Sequence, residues 1–478
     1  MNRITRKNFL IGSMAAAAVG ARRMFAAPAG TVAGTPRLTF GVLSDIHVRD
    51  EATQRDFIKA LEWYRSRGVD AVVVAGDMAD WGLVRQLRLV SDAWFKVFPD
   101  NKTPEGRPVV QLLEYGNHDV ADWRAKDYKD DAERAQNMIK YDPKKQWEDA
   151  FREAYAPVES KTVKGHVFVR AHWPAVNGPA VGAWFDAHAK EIDPSRPFFF
   201  FQHPHPKDTC YGPWAWGHDN GAATNALGPF PNAVALSGHS HYTLTDERTV
   251  WQGAFTSIGT SSLSYTSLDY NYRENAGGNN YGEMETRKRQ MGRLGTGDGK
   301  QGMLFTVCDD FVRIERHEFV WDQSLGDDWI LPVGKAAEGP FAYAKRKPAR
   351  TAPEFPAGAD VSFALVPPKA KDGEDPAKLK PTQVEVTFPH AETRAKCRVF
   401  EYEVQAVVVA DDVELVAATR RVLAPDFHLP ASQTGKKGRC VFALADLPAK
   451  ARIRFDVRPI ECFGAKGREI RTSRLLSV

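Results

Sequence analysis

Five apolar runs in this chain each stop at a cluster of polar side chains, and that alternation limits the folds open to it. Leu38 to Leu43 ends at Ser44-Asp45-Ile46-His47, the run after Asp70 ends at Gly76-Asp77-Met78-Ala79-Asp80, and Val109 to Tyr115 ends at Gly116-Asn117-His118-Asp119. Further on, Pro197 to Phe201 precedes Gln202-His203, and Ala233 to Leu236 precedes Ser237-Gly238-His239-Ser240-His241. Continuous apolar runs of this length read as strands covered on both faces. Helical stretches separate the early ones. Thr53-Gln54-Arg55-Asp56 reads as a capping box opening a helix with Phe57, Ile58, Leu61 and Tyr64 on one face, and a second helix is predicted at about 84–97. The repeat predicts an α/β domain whose ligands gather past the carboxyl ends of its strands.

The side chains at those strand ends are carboxylates, imidazoles and an amide. That donor set suits manganese, iron or zinc, whereas calcium wants more oxygen and less imidazole. A carboxylate can bridge two ions, and Asp77 stands in the middle of the set. Two ions about 4 Å apart can clamp a phosphoryl group and share a hydroxide formed near neutral pH. No one motif is specific, since a chain this long holds about one Asp-x-His by chance. The ordered set of five is.

That set resembles the calcineurin-like metallophosphoesterase superfamily over about residues 36–325. The resemblance implies a four-layer α/β/β/α sandwich holding two metal ions. It carries a first site onto Asp45, His47, Asp77 and His241, and a second onto Asp77, Asn117, His203 and His239. His118 is then not a ligand but acts near the leaving group, oriented by Asp119. The implied reaction is hydrolysis of a phosphomonoester or phosphodiester by a hydroxide shared between the metals, without a covalent intermediate. Asp80 stands three after Asp77, where purple acid phosphatases have tyrosine, and His47 is present where they usually lack a histidine ligand, so a purple iron enzyme is not expected.

Composition bounds partners and compartment. The formal charge of +4 comes from the first 29 residues, which hold five basic residues and no acids; without them 59 basic residues face 60 acidic ones. So neutral a chain has no general electrostatic reason to seek nucleic acid or an anionic membrane. Those 29 residues have the layout of an export signal: Thr5-Arg6-Lys7-Asn8-Phe9-Leu10 resembles a twin-arginine motif, an apolar stretch runs from Phe9 to Gly20, and small residues surround Ala26-Ala27-Pro28-Ala29. A general secretory signal is the alternative. Either predicts a periplasmic or extracellular protein, and no segment is apolar for the roughly 20 residues a bilayer requires.

The metallophosphoesterase domain is expected over residues 36–330, interrupted by a charged, partly helical segment at 122–165 and a Gly-, Asn-, Ser- and Tyr-rich one at 261–300. The latter is either disordered or a substrate-facing lid. Residues 333–358, rich in Pro and Lys, read as a linker. Beyond it, runs of alternating residues at 383–388, 397–408, 413–421 and 451–459 predict an antiparallel β-sandwich over 359–478. Thr387-Phe388-Pro389 and Arg454 to Arg458 followed by Phe463-Gly464 resemble a fibronectin type III domain, which would take a partner or glycan. His205, Trp214, Trp216 and His218 either line a substrate pocket or pack, and Asp219-Asn220 caps the helix after it. Three of the five cysteines (Cys397, Cys440, Cys462) fall in the last hundred residues, where one disulfide or buried thiols both fit. Two other functions stay open: an adhesion protein with a structural metal site, and a dimetal hydrolase of a non-phosphate bond.

Overall fold

The computed structural model describes residues 34–120, 142–210, 219–269, 293–295 and 299–478, except 335, 373, 376–377, 392–397 and 412. The export signal, Trp214, Trp216, His218 and Cys397 lie outside the described residues.

Strands β1 (Leu38–Leu43), β2 (Ala71–Val74) and β3 (Val110–Leu113) pair in parallel and are buried on both faces. Strands β4 (Val158–Val163), β5 (His166–Ala171), β6 (Phe198–Gln202), β7 (Ala233–Ser237), β8 (Val250–Gln252) and β9 (Thr256–Gly259) form a second sheet, ordered β4-β5-β6-β7-β9-β8. A short hairpin of β10 (Ser267–Asp269) and β11 (Arg293–Gly295) follows. The chain then returns to the first sheet as β12 (Gln301–Val307), antiparallel to β1, and continues through β13 (Phe311–Glu318), β14 (Gln323–Ser324) and β15 (Trp329–Pro332). Asp309 and Asp310 make the turn into β13. β12 thus completes the first sheet although it follows the strands of the second.

Helix α1 (Glu51–Ser66) begins earlier than its expected box. Asp50 is the N-cap: its carboxylate accepts from the N–H groups of Ala52 and Thr53, while the Thr53 hydroxyl accepts from the Asp50 N–H. Helix α2 (Val84–Val97) lies beside α1, and α3 (Asn117–Val120) is one turn after β3. Helix α4 (Pro143–Phe151), α5 (Ala180–His188) and α6 (Ala222–Leu227) follow. Three apolar clusters give the layer order. One joins α1, α2 and α4 to the first sheet through Phe57, Leu61, Trp94 and Trp147; one fills the space between sheets; one joins the second sheet to α5 and α6 through Phe185 and Leu227. The layers are therefore α/β/β/α. Phe40 of the first sheet anchors the middle, its ring centroid 5.0 Å from that of Phe168 and 4.7 Å from that of Phe199 in the second.

The segment expected as a linker is folded onto this domain. It carries α7 (Tyr343–Arg346), whose buried Arg346 donates to the carbonyl oxygens of Glu247 and Val250. The C-terminal region is strand-rich: β16 (Ser362–Val366), β17 (Gln383–Phe388) and β20 (Gly438–Ala443) form one sheet. β18 (Val399–Ala410), β19 (Val413–Leu423), β21 (Arg452–Glu461), β22 (Ile470–Arg471) and β23 (Leu476–Ser477) form another, and the two share a core around Val386, Tyr402 and Phe455. Cys210, Cys308, Cys440 and Cys462 are free thiols. No helix among the described residues is long and apolar enough to cross a membrane.

Candidate metal centre

All the metal ligands expected from the sequence lie on loops and turns leaving the carboxyl ends of β1, β2, β3, β6 and β7. The first two loops are zipped together by backbone hydrogen bonds, Asp45 N–H to Gly76 O at 3.0 Å, His47 N–H to Asp77 O at 3.0 Å and Val48 N–H to Met78 O at 2.8 Å. Parallel pairing thus outlives the strands just long enough to set Asp45, His47 and Asp77 side by side. Three motif glycines complete the fit. A Cβ on Gly76 would lie 2.4 Å from His203 Nδ1, one on Gly116 2.2 Å from Asp77 Oδ1, and one on Gly238 2.3 Å from Asp45 Oδ2. Each glycine leaves room for a side chain supplied by another motif.

Among the described residues the donor atoms of the expected ligands converge in two groups, Asp45, His47, Asp77 and His241, and Asp77, His203 and His239, and a third group joins His47 to Asp80 and His118, the atoms of each lying within 4.8 Å of one another. Asp77 belongs to the first two. His241 Nε2 is 2.9 Å from Asp45 Oδ1 and 3.3 Å from His47 Nε2; His203 Nε2 is 2.9 Å from Asp77 Oδ2 and 3.2 Å from His239 Nδ1. Asn117 is buried at the start of α3, where the next N–H, of His118, donates to Asp77 Oδ1 at 2.8 Å.

The residues fit metal ions on two observations. First, outer ring nitrogens face oxygens: His203 Nδ1 has Ala75 O as acceptor at 2.9 Å, His241 Nδ1 has Tyr265 O at 3.2 Å, and His47 Nδ1 lies at ion-pair distance, 3.1 Å, from Asp80 Oδ1. This fixes the hydrogen on the outer nitrogen and turns each Nε2 lone pair inward, the arrangement that metal-ligating histidines adopt. Second, paired imidazole nitrogens at 3.2–3.3 Å amid two carboxylates need a cation to hold them together.

Without metal, protons stand in for that cation. Burial opposes charge on His203, but the carboxylates of Asp77 and Asp45 outweigh it and raise its pKa to about 10. Burial likewise opposes charge on Asp77 and Asp45, yet the histidines beside them hold both below the usual carboxylate range. Burial dominates at His47 and lowers its pKa. Asp119 is pushed up to about 8 by burial and by the Asp77 charge.

The chain also holds these ligands in an unfavourable backbone region. Asp45, His47, Asp77, His239 and His241 all have φ between 45° and 67°. Left-handed backbone at non-glycine residues costs about 1–3 kcal/mol each and persists where the surroundings enforce it.

His118 sits at the rim, less buried than the ligands, with Nδ1 2.6 Å from the carbonyl oxygen of Asp80. The Asp80 carbonyl thus holds the His118 ring. Asp119 accepts from the N–H groups of Met78, Ala79 and Gly116 at 3.1, 2.7 and 2.8 Å, tying the β2 and β3 loops together. Sequence reasoning missed several neighbours. Trp173 lies with its ring 5.7 Å from His239, and Tyr265 and Arg49 stand over the first group. Only the length of the 261–300 segment hinted at Tyr265. His205, between pocket lining and packing, is packed: its Nε2 meets Ser240 Oγ and its Nδ1 meets Cys210 Sγ, both at 2.9 Å. The N-cap of α6 is Gly221 rather than Asp219 or Asn220; Asn220, one residue ahead of it, accepts from the Ala222 N–H through Oδ1.

Residues 38–243 match the family described as calcineurin-like phosphoesterase, so the α/β part of this chain contains a calcineurin-like metallophosphoesterase domain. Hydrolysis of phosphoester bonds is the general activity of that family. No curated protein matches the chain. Among solved structures, similarity extends to a conserved predicted phosphoesterase from Streptococcus pneumoniae (14% identity, TM-score 0.27, covering 62% of this chain and 97% of that one). It extends also to a dimetal phosphatase from Danio rerio (12% identity, TM-score 0.34, 63% and 100%) and to GAP50, the anchor in the inner membrane complex of Plasmodium (14% identity, TM-score 0.37, 63% and 90%). Likeness this low says nothing further about this chain.

Proposed function

We propose that this chain is an exported phosphoesterase working with two metal ions, held by Asp45, His47, Asp77 and His241 and by Asp77, Asn117, His203 and His239. The observation that carries the reading is the pair of donor groups meeting at one shared carboxylate, Asp77. When bound, a metal pair of this kind (manganese, iron or zinc by donor type) activates water and offsets charge on the phosphoryl oxygens. The protein's share is placement. Backbone pairing of the β1 and β2 loops fixes Asp45 and the shared carboxylate of Asp77 before substrate arrives. His118, whose Nδ1–H donates to the Asp80 carbonyl, turns Nε2 to the site, and as an imidazolium it gives the Nε2 proton to the departing oxygen. Export rests on the first 29 residues. The C-terminal sheets are read as a fibronectin type III-like domain that binds a partner or glycan.

The test is hydrolysis of p-nitrophenyl phosphate and bis-p-nitrophenyl phosphate by chelated protein before and after adding manganese, zinc or iron, with metal content measured alongside. Turnover restored in step with about two ions per chain is expected. Two bound ions without turnover of any phosphoester would sink the hydrolase reading; failure to bind metal would sink the site.

A further inference from the structure

The ligands are unevenly exposed. Asp45, His47, Asp77, Asn117, His203 and His239 are buried, while the His241 side chain is 13% exposed and His118 is half-buried. Substrate therefore approaches across His241 and His118. Two side chains stand at that rim. Tyr265 is 38% exposed, its ring centroid 5.0 Å from that of His47, and the Arg49 side chain is 43% exposed.

These two are built into the centre rather than scattered near it. Arg49 Nη1 donates to the Tyr265 hydroxyl at 3.0 Å, and its Nε is 3.9 Å from Asp80 Oδ2. The Tyr265 hydroxyl lies 3.2 Å from Asp80 Oδ1, which is itself 3.1 Å from His47 Nδ1. The Tyr265 carbonyl accepts from His241 Nδ1. Tyr265 also holds φ at 62°, an outlier for so bulky a residue. A strained tyrosine thus clasps a guanidinium beside the open side of the first metal group.

We infer that Arg49, held by Tyr265, is a substrate-reading cation that selects phosphomonoester dianions over phosphodiesters. The inference rests on the phosphoesterase reading above, and it follows from counting oxygens. With two non-bridging oxygens turned to the metals, a monoester keeps a third, charged oxygen for a guanidinium, whereas a diester has none left. Arg presents N–H donors in a planar fork that matches phosphate oxygens. Asp80, close to Arg49 but buried, holds the fork in place without covering its exposed side.

Arg49→Ala and Arg49→Lys, compared with wild type in the full metal-loaded chain, test it. Charge-assisted contacts of about 1.5–3 kcal/mol correspond to about a tenfold to hundredfold loss. Arg49→Ala is expected to lose that much kcat/KM on p-nitrophenyl phosphate while bis-p-nitrophenyl phosphate changes less than about threefold, with Arg49→Lys between. Calorimetric affinity for inorganic phosphate should fall in parallel. Equal losses on both esters, or phosphate binding that ignores Arg49, would overturn the assignment. Arg49-dependent phosphate binding in a protein that hydrolyses neither ester keeps the anion contact and refutes the hydrolase reading instead.

Discussion

Gly238→Ala drives a single methyl into the Asp45 carboxylate at the heart of the ligand loops. The added Cβ would lie 2.3 Å from Asp45 Oδ2, where ordinary contact begins at 3.4 Å, so one partner must retreat by about 1 Å. Asp45 has nowhere to go. Its Oδ2 is bonded to Ser44 Oγ at 2.5 Å and to the His239 N–H at 3.0 Å, and Ser44 Oγ is in turn held by Thr260 Oγ1 at 2.6 Å and the Ser261 carbonyl at 2.8 Å. The Ser44 side chain blocks the same space, its Oγ at 2.7 Å and Cβ at 2.8 Å. The Gly238 loop must therefore move, and it carries His239 and His241 with it. Overpacking of this kind costs about 1–3 kcal/mol of stability. Displacing ligands by about 1 Å costs on the order of 100-fold in turnover, and disturbing their supports about 10–100-fold in metal affinity. Metal retention against graded chelator, read beside thermal melting of the metal-free protein, separates the two effects. Gly182→Ala is the control, because nothing lies within 4 Å of its Cβ; in α5 it should gain up to about 1 kcal/mol. If Gly238→Ala holds two ions as tightly as wild type, the account of the interlocked loops is wrong.

Four more outcomes are expected. His118→Ala should keep both metals and lose about 10²–10⁴ in turnover, the usual worth of a positioned proton donor; metal loss in that variant would make His118 a ligand instead. Phe40→Ala opens the layer between the two sheets and should cost about 3–5 kcal/mol in urea unfolding; a loss under about 1 kcal/mol would mean that the sheets are held elsewhere. The metal-free protein should lose stability as pH rises. His203 at about 10 and Asp119 at about 8 both sit above their ordinary values of 6.5 and 3.8, so each favours the folded state at low pH and that support fades as pH climbs through those windows. Asp45 and Asp77, held low, withdraw their support only below the ordinary carboxylate value. Chemical denaturation of chelated protein between pH 6.5 and 10 checks the sign, and a rising curve would refute it. Loaded with metal, the same protein should bind more tightly as pH rises, because His203 must shed a proton first.

Much of this was legible because the signals are local. Apolar continuity marks β1, β2, β3, β6 and β7, and helical period marks α2 over the expected residues. Strand alternation placed β17, β18, β19 and β21 within two residues of the expected ends. What could not be read depends on partners distant in sequence. β12 joins β1 across more than 250 residues, and nothing in Gln301–Val307 says which sheet it completes. β4 hid in a charged segment because an edge strand such as Val158–Val163 keeps most of its side chains in or near solvent. Helix α1 starts at Glu51 rather than after Thr53 because Asp50 is the better acceptor, and Thr53 answers as the other half of its box. Arg49, Asp80, Trp173 and Tyr265 are single side chains from loops or turns, with no period to announce them.

The left-handed backbone at Asp45, His47, Asp77, His239 and His241 has a consequence for how such a chain can change over generations. Glycine relaxes each of those positions at once, so the mutations that most easily ruggedise the empty protein are those that erase its chemistry. His47→Gly should melt above the metal-free wild type while holding less metal. A lineage released from selection for catalysis would then drift downhill toward a sturdier, inert shell of the same fold, and only continued demand for the bound ions keeps these five residues on their slope.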